Sequence, residues 1–208
     1  MDYLRECDDN AFQLAICDPP YGIGEDGSRS LVEKPNNKWR NRQSKIYKTF
    51  DDSNPPDKDY FNQLFRVSKN QIIWGGNYFT DNIPPSKGWI VWDKKADIKE
   101  PLSMCELAYS SFDRKCNKFD FLWAGFRKAV QEKRIHPTQK PVKLYEWLLT
   151  NYAKEGDRIL DTHGGSMSSA IACHNLNYDM TIIELDEDYF RAGKERLEAH
   201  QQQLRFNM

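Results

Sequence analysis

Residues 158–204 constrain the fold most tightly. "RILD" (158–161) is a short apolar run, "THGGS" a turn, and "MSSAIACHNL" (167–176) a helical stretch. "MTIIEL" (180–185) and "DEDYFRAGKERLEAHQQQL" (186–204) then repeat the strand–helix pattern. Strands separated by helices cannot pair as hairpins; they lie side by side in parallel, with each helix crossing over a sheet face. The rest of the chain fits that plan. "FQLAICD" (12–18) reads as a buried strand, and 59–69 as a helix with apolar residues at 60, 61, 64, 65 and 67. "QIIWGG" (71–76) is a strand stopped by two glycines, and 88–94, 105–112 and 119–125 alternate as further strands. "VKLYEWLLTNYA" (142–153) is an amphipathic helix introduced by Pro141 and closed by Gly156. The expectation is one α/β domain over residues 1–208, a doubly wound, mostly parallel sheet.

Composition removes several classes of function. Lys and Arg number 30 and Asp and Glu 31, so the net charge of −1 does not itself point to nucleic acid. Five cysteines (7, 17, 105, 116, 173) form no CxxC pair, and four histidines make no ligand cluster with them; no metal is expected. No apolar run approaches membrane-spanning length, and "MDYLRECDDN" is too acidic for a signal peptide. A soluble cytoplasmic protein without membrane contact is expected.

Two segments carry chemistry. In "CDPPYGIG" (17–24) two prolines fix two φ angles and remove two backbone donors directly after a strand. The chain must leave the sheet in one stiff conformation, holding Asp18 and Tyr21 at a fixed mutual distance. In "ILDTHGGSMSSAIA" a strand ends in a carboxylate, turns on Gly164-Gly165 and opens a helix at Ser166, the geometry that sets a ligand against backbone N–H groups. Glu184 closes the next strand, where a carboxylate can hold a ribose diol. The turn is not GxGxxG and lacks a Walker lysine, which disfavours a triphosphate. An ordinary βα turn with glycines for steric reasons is the competing reading.

Asp18-Pro19-Pro20-Tyr21, then "HPTQKP" (136–141), then "ILDTHGGS…IIELD", resembles in content and order the DNA adenine-N6 methyltransferases of the permuted β group. "QIIWGGNYF" and "GWIVWDK" make it most similar to small phage-type, site-specific enzymes of the kind also paired with restriction systems. The resemblance implies a Rossmann-like fold with helices on both faces of a twisted sheet. The family usually has a Gly-Asp strand before the region equivalent to residues 1–11; this chain opens at Met1-Asp2-Tyr3, so one N-terminal edge strand is expected to be lacking. It implies S-adenosyl-L-methionine as cofactor, surrounded by Asp18, Thr138, Lys140, Asp161, Gly164, Gly165 and Ser166, with Glu184 on the ribose. It also implies a catalytic corner. Asp18 and the Pro19 carbonyl accept the two hydrogens of an adenine amino group, Pro20 keeps the bend rigid and Tyr21 stacks on the base. Met167 stands where the family often has another Gly.

These groups suit amino methylation. The exocyclic nitrogen of adenine delocalises its lone pair into the ring, and acceptors on its two N–H bonds favour a pyramidal, nucleophilic nitrogen. The contacts strengthen as positive charge develops there. A base inside a duplex must be flipped out to be reached, which calls for cations on the phosphates. Residues 24–58 read as a basic mobile loop, and within 27–48 Arg29, Lys34, Lys38, Arg40, Arg42, Lys45 and Lys48 stand against Glu33, with Trp39 and Tyr47 between them. In the context of the corner this is a candidate DNA-binding loop; alone, it would read as a solvated loop. Residues 93–135, with Arg114, Lys115, Lys118, Arg127, Lys128, Lys133 and Arg134, are the candidate target-recognition region. The partner is DNA, double-stranded and presenting a flipped adenine, and the enzyme is a monomer or homodimer. Cytosine-N4 methylation, for which Ser is the usual first residue of the corner, RNA adenine methylation and a binding remnant without turnover are the alternatives.

Overall fold

The computed structural model describes residues 1–24, 48–95, 103–124, 127–129 and 134–203. A short helix α1 (Asp2–Glu6) precedes strand β1 (Phe12–Cys17). Helix α2 (Lys58–Val67) leads into β2 (Ser68–Trp74), followed by a 3-10 turn, β3 (Ile90–Asp93), β4 (Cys105–Ser110) and β5 (Asn117–Asp120). A two-stranded ribbon, β6 (Trp123–Ala124) with β7 (Arg127–Lys128), comes before helix α3 (Val142–Tyr152). The C-terminal part is β8 (Arg158–Asp161), α4 (Ser168–Leu176), β9 (Asp179–Ile182) and α5 (Glu187–Gln201).

Seven strands form one sheet in the order β5-β3-β4-β2-β1-β8-β9. The β2-β1-β8-β9 half is wholly parallel. β4 alone runs against its neighbours, antiparallel to both β2 and β3, while β5 is parallel to β3. β1 and β8 lie side by side, Leu14 opposite Ile159 and Ala15 opposite Leu160. The mostly parallel α/β sheet expected from the sequence is therefore present. β9 is the outermost strand on its side among the described residues.

Helices cover both faces because the central strands are apolar on both. Leu14, Ile16, Ile72, Trp74 and Ile159 pack with Leu144, Leu148 and Leu149 of α3 and Ala172 of α4. Phe12, Ala15, Cys17, Ile73 and Leu160 pack on the opposite face with Phe61, Leu64 and Val67 of α2. Such strands read as continuous apolar runs, as buried parallel strands do. Helix starts follow local chemistry: Asp57 accepts from Tyr60 N at 2.9 Å, and Asp186 Oδ1 accepts from Asp188 N and Tyr189 N at 2.9 and 3.1 Å.

Three boundaries differ from the sequence reading. The run 119–125 does not form one strand. β5 ends at Asp120; the backbone still bonds alongside β3, Phe121 N to the Asp93 carbonyl at 3.0 Å and Trp123 N to the Lys94 carbonyl at 3.1 Å, while the Trp123 indole N–H donates to the Gln139 carbonyl at 3.1 Å. β9 ends at Ile182, so Glu184 lies two residues beyond the strand rather than on it. α4 starts at Ser168, and Met167, buried, sits at its N-cap with φ 55°. That left-handed conformation is what glycine adopts without strain, and costs other residues about 1–2 kcal/mol. The Met side chain is seated against Gly193 of α5, where an added Cβ would lie 2.8 Å from Met167 Cγ.

Candidate active site

β1 ends at Cys17, and the next residues make the corner the prolines demand. Asp18 Oδ1 accepts from the Tyr21 hydroxyl at 2.7 Å, while Oδ2 accepts from Lys140 Nζ. Behind the bend, Asp52 is buried and its Oδ1 accepts from Tyr21 N at 2.7 Å and Gly22 N at 3.0 Å. The Tyr21 ring packs on Gly75, which has φ 68°, and an added Cβ there would come within 2.2 Å of Tyr21 Cε1. Tyr78 stacks on the same ring, with centroids 5.1 Å apart and planes at 19°, and Phe79 meets it edge-on at 6.1 Å. Burial and the neighbouring Asp18 charge push the Tyr21 phenol well above its ordinary pKa, so it stays a hydrogen-bond donor.

Lys140, from the "HPTQKP" segment, lies beside this corner with its side chain only 5% exposed. Besides Asp18 it reaches Glu106 of β4, Nζ to Oε2 at 3.2 Å, and Glu106 Oε1 pairs in turn with Lys94 at 2.5 Å. Burial opposes the charges of Lys140 and Glu106. Asp18 and Glu106 nevertheless raise the Lys140 ammonium above its usual range, and Lys140 with Lys94 draws Glu106 down to about 2. Glu106 and Lys140 therefore both remain charged at neutral pH.

One strand over, β8 ends at Asp161, fully buried. Its carboxyl accepts from His163 N at 3.0 Å and from the Ser169 hydroxyl at 2.6 Å. Burial, assisted by the Asp18 and Glu184 charges, pushes it up to about 7. Gly164 N donates to the Ile183 carbonyl at 2.7 Å, and an added Cβ there would fall 2.9 Å from Ile182 Cγ1. Gly165, at φ 47°, donates its N–H to Glu184 Oε2 at 2.6 Å, and Glu184 Oε1 accepts from Asp186 N at 2.8 Å. Glu184 thus ties the glycine turn to the start of α5. The Ser166 hydroxyl faces that of Ser168 at 3.1 Å, and the Ser166 carbonyl accepts from Arg196 at 2.7 Å.

Because β1 and β8 are parallel neighbours, the corner that starts at Asp18 and the turn that starts at Asp161 leave the same end of the sheet, and Asp161 feels the charges of both Asp18 and Glu184. Lys140 joins the corner rather than the glycine turn. Thr138 is exposed and bonds His136 Nδ1 at 3.0 Å, and Gln139 N donates to the His136 carbonyl at 3.3 Å, so His136-Pro137 forms a turn. Of the candidate DNA-binding cations, Arg29, Lys34, Lys38, Arg40, Arg42 and Lys45 lie outside the described residues. Lys48 is described, and it is paired with Asp186 and Asp188 at 2.7 Å each, so it braces α5. In the second basic stretch Lys118 is paired with Asp120 at 2.9 Å, and Arg114 covers the Phe112 and Tyr152 rings. Burial pushes Cys17 and Cys173 up to about 12, so neither supplies a thiolate at neutral pH.

Sequence reasoning missed Asp52, Glu106, Gly75 and Tyr78. Glu106, a lone charge in the apolar strand "CELAYS", carried a visible cue; Asp52 and Tyr78 did not.

A family model for N6 and N4 methyltransferases, described as DNA methylase, matches residues 32–195. The chain belongs to this DNA methylase family. Among curated relatives, it is 23% identical over 225 residues to the type II methyltransferase M.HpaI of Haemophilus parainfluenzae, covering 94% of this chain and 71% of the relative. It is 25% identical over 216 residues to the putative methylase YubD of Escherichia coli K12, covering 94% and 86%. Against the type II methyltransferase M2.DpnII of Streptococcus pneumoniae, 27% identity extends over 66% of this chain and 45% of the relative. Solved structures carry the fold. M1.HpyAVI in complex with SAM superposes with TM-score 0.54 at 19% identity, over 93% of this DNA methylase and 91% of that chain. The cytosine-N4-specific PvuII DNA methyltransferase superposes with TM-score 0.57 at 11% identity, over 99% and 84%.

Proposed function

We propose that this DNA methylase transfers a methyl group from S-adenosylmethionine to the N6 amino group of adenine flipped out of double-stranded DNA. The observation that carries the reading is the adjacency of Asp18 and Asp161 at the ends of two neighbouring parallel strands. A base docked at the corner then faces a cofactor held on the glycine turn.

The residues present suit that cofactor. Asp161, buried and pushed up to about 7, is a place where a ligand ammonium would restore the ionised form. Gly164 and Gly165 keep the turn low, Glu184 stands beside them, and Leu185, 99% exposed, presents an apolar face next to it. The cofactor supplies an electrophilic methyl on sulfonium. The chain's part is to place the nucleophile in line, about 3–3.5 Å away, and to stabilise the charge that grows on nitrogen. The Asp18 carboxylate and the Pro19 carbonyl accept the two amino hydrogens. Gly75 admits the Tyr21 ring, and Asp52 fixes the backbone that carries it. A carboxylate at the first corner position favours adenine N6. The likeness to the cytosine-N4-specific PvuII enzyme makes N4 the reading to test against it.

The test is transfer of labelled methyl to unmethylated DNA, followed by mass spectrometry of the nucleosides. N6-methyldeoxyadenosine from the parent, and none from Asp18→Ala, is the expected result. Label in N4-methylcytosine or only in RNA would overturn the adenine assignment; cofactor binding with no incorporation would overturn turnover itself.

A further inference from the structure

Resting on the amino-methylation reading, we propose that Glu106 is a positioning residue. It takes over the Lys140 ammonium when Asp18 engages the amino group of the base.

As the corner stands, both oxygens of Asp18 are in use, one by the Tyr21 hydroxyl and the other by Lys140. An amino group donating to Asp18 therefore competes with an ammonium. The ammonium also becomes an unfavourable neighbour as positive charge grows on the attacking nitrogen, because like charges repel strongly in a buried site. Lys140 is too enclosed to swing into water, with its side chain 5% exposed and its Nζ 5.5 Å from the Trp74 ring centre and 5.7 Å from that of Tyr21. Glu106 is the second carboxylate already within reach, at 3.2 Å. It is aimed from β4, where it sits opposite Trp92 on β3, and Lys94 holds its other oxygen. The four groups Asp18, Glu106, Lys94 and Lys140 sum to zero charge, so moving the ammonium from one carboxylate to the other exposes no net charge. Sharing Lys140 between Asp18 and Glu106 frees the first without stranding the second.

Among the described residues, Glu106→Gln leaves Asp18 as the only anion paired with Lys140. The expected result is a fall in kcat for methyl transfer of roughly 10- to 100-fold, the worth of one charged acceptor. The KM for S-adenosylmethionine should stay within about 3-fold, since the glycine turn is untouched. Lys140→Met should retain a slow, measurable rate, and adding Glu106→Gln to it should produce no further loss, because Glu106 acts through that ammonium. Melting curves check each variant. If Glu106→Gln does not fold, Lys94→Met combined with Glu106→Gln, which removes one charge of each sign, takes its place in the comparison. Glu106→Gln at near-parental kcat, losses that multiply in the Lys140→Met background, or a Lys140→Met enzyme with no transfer at all would each overturn the proposal. If the parent itself transfers no methyl group, the proposed function falls and takes this role with it. Parental transfer with an indifferent Glu106→Gln overturns this role alone.

Discussion

Asp52 offers the sharpest test of how the corner is held. One buried carboxylate oxygen takes the Tyr21 and Gly22 N–H groups, at 2.7 and 3.0 Å, just after the two prolines. Asp52→Ala removes that acceptor and leaves Tyr21 N, which is half-buried, without it; Gly22 is exposed and can turn to water. An unsatisfied buried donor costs about 1–3 kcal/mol, and loss of the charged hydrogen bond to the more open Gly22 adds up to about 1 kcal/mol. The sum, about 1–4 kcal/mol, corresponds to a fall in Tm of roughly 2–16 °C for a chain of this size. Activity should suffer more than stability. A displacement of the corner by about 1 Å costs on the order of 100-fold in rate. Asp52→Asn keeps an oxygen in place and should recover much of both. Calorimetry and tritiated methyl transfer on the three proteins give the comparison. An Asp52→Ala protein melting within about 2 °C of the parent and turning over at its rate would refute the idea that this carboxylate holds the corner.

Two other outcomes follow from particular contacts. Gly75→Ala puts a methyl group 2.2 Å from the Tyr21 ring at a φ of 68°, so it should cut methyl transfer at least ~100-fold through loss of orientation while the sheet stays folded by circular dichroism. Asp161, pushed up to about 7 by burial, holds a proton in the fold that the unfolded chain, with a value near ~4, does not. This group therefore withdraws stability as pH rises from about 4 to about 7. A cofactor ammonium favours the ionised form, so S-adenosylmethionine affinity measured by calorimetry should climb up to ~10-fold from pH 6 to pH 8, and Asp161→Asn should flatten that dependence.

What could be read from the chain alone was local. Asp18-Pro19-Pro20-Tyr21 declares a rigid corner because proline fixes its own geometry, and Asp161 with Gly164-Gly165 declares a turn for similar reasons. The strands and helices around them were legible because burial on one or both faces leaves a period in the sequence. The partners of the corner were not. Lys140 reaches Asp18 from 122 residues away and Asp52 reaches Tyr21 from 31, and no periodicity encodes such a pairing. The same limit explains 119–125, whose alternation fits a single strand although the Trp123 indole is anchored by Gln139. α1, five residues long with no side-chain cap, carried too little pattern to see. The two basic stretches were counted by charge, yet Lys48 and Lys118 spend that charge on intramolecular carboxylates.

The antiparallel strand β4 lets one end of the sheet serve two masters. Glu106 leaves near the N-terminal end of a strand that runs against β2, so it arrives at the same rim as residues departing from the C-terminal ends of β1 and β8. A fully parallel sheet would direct only strand exits to that rim. One reversed strand adds a strand entrance there, and with it an extra anion supplied by rigid sheet rather than by a loop.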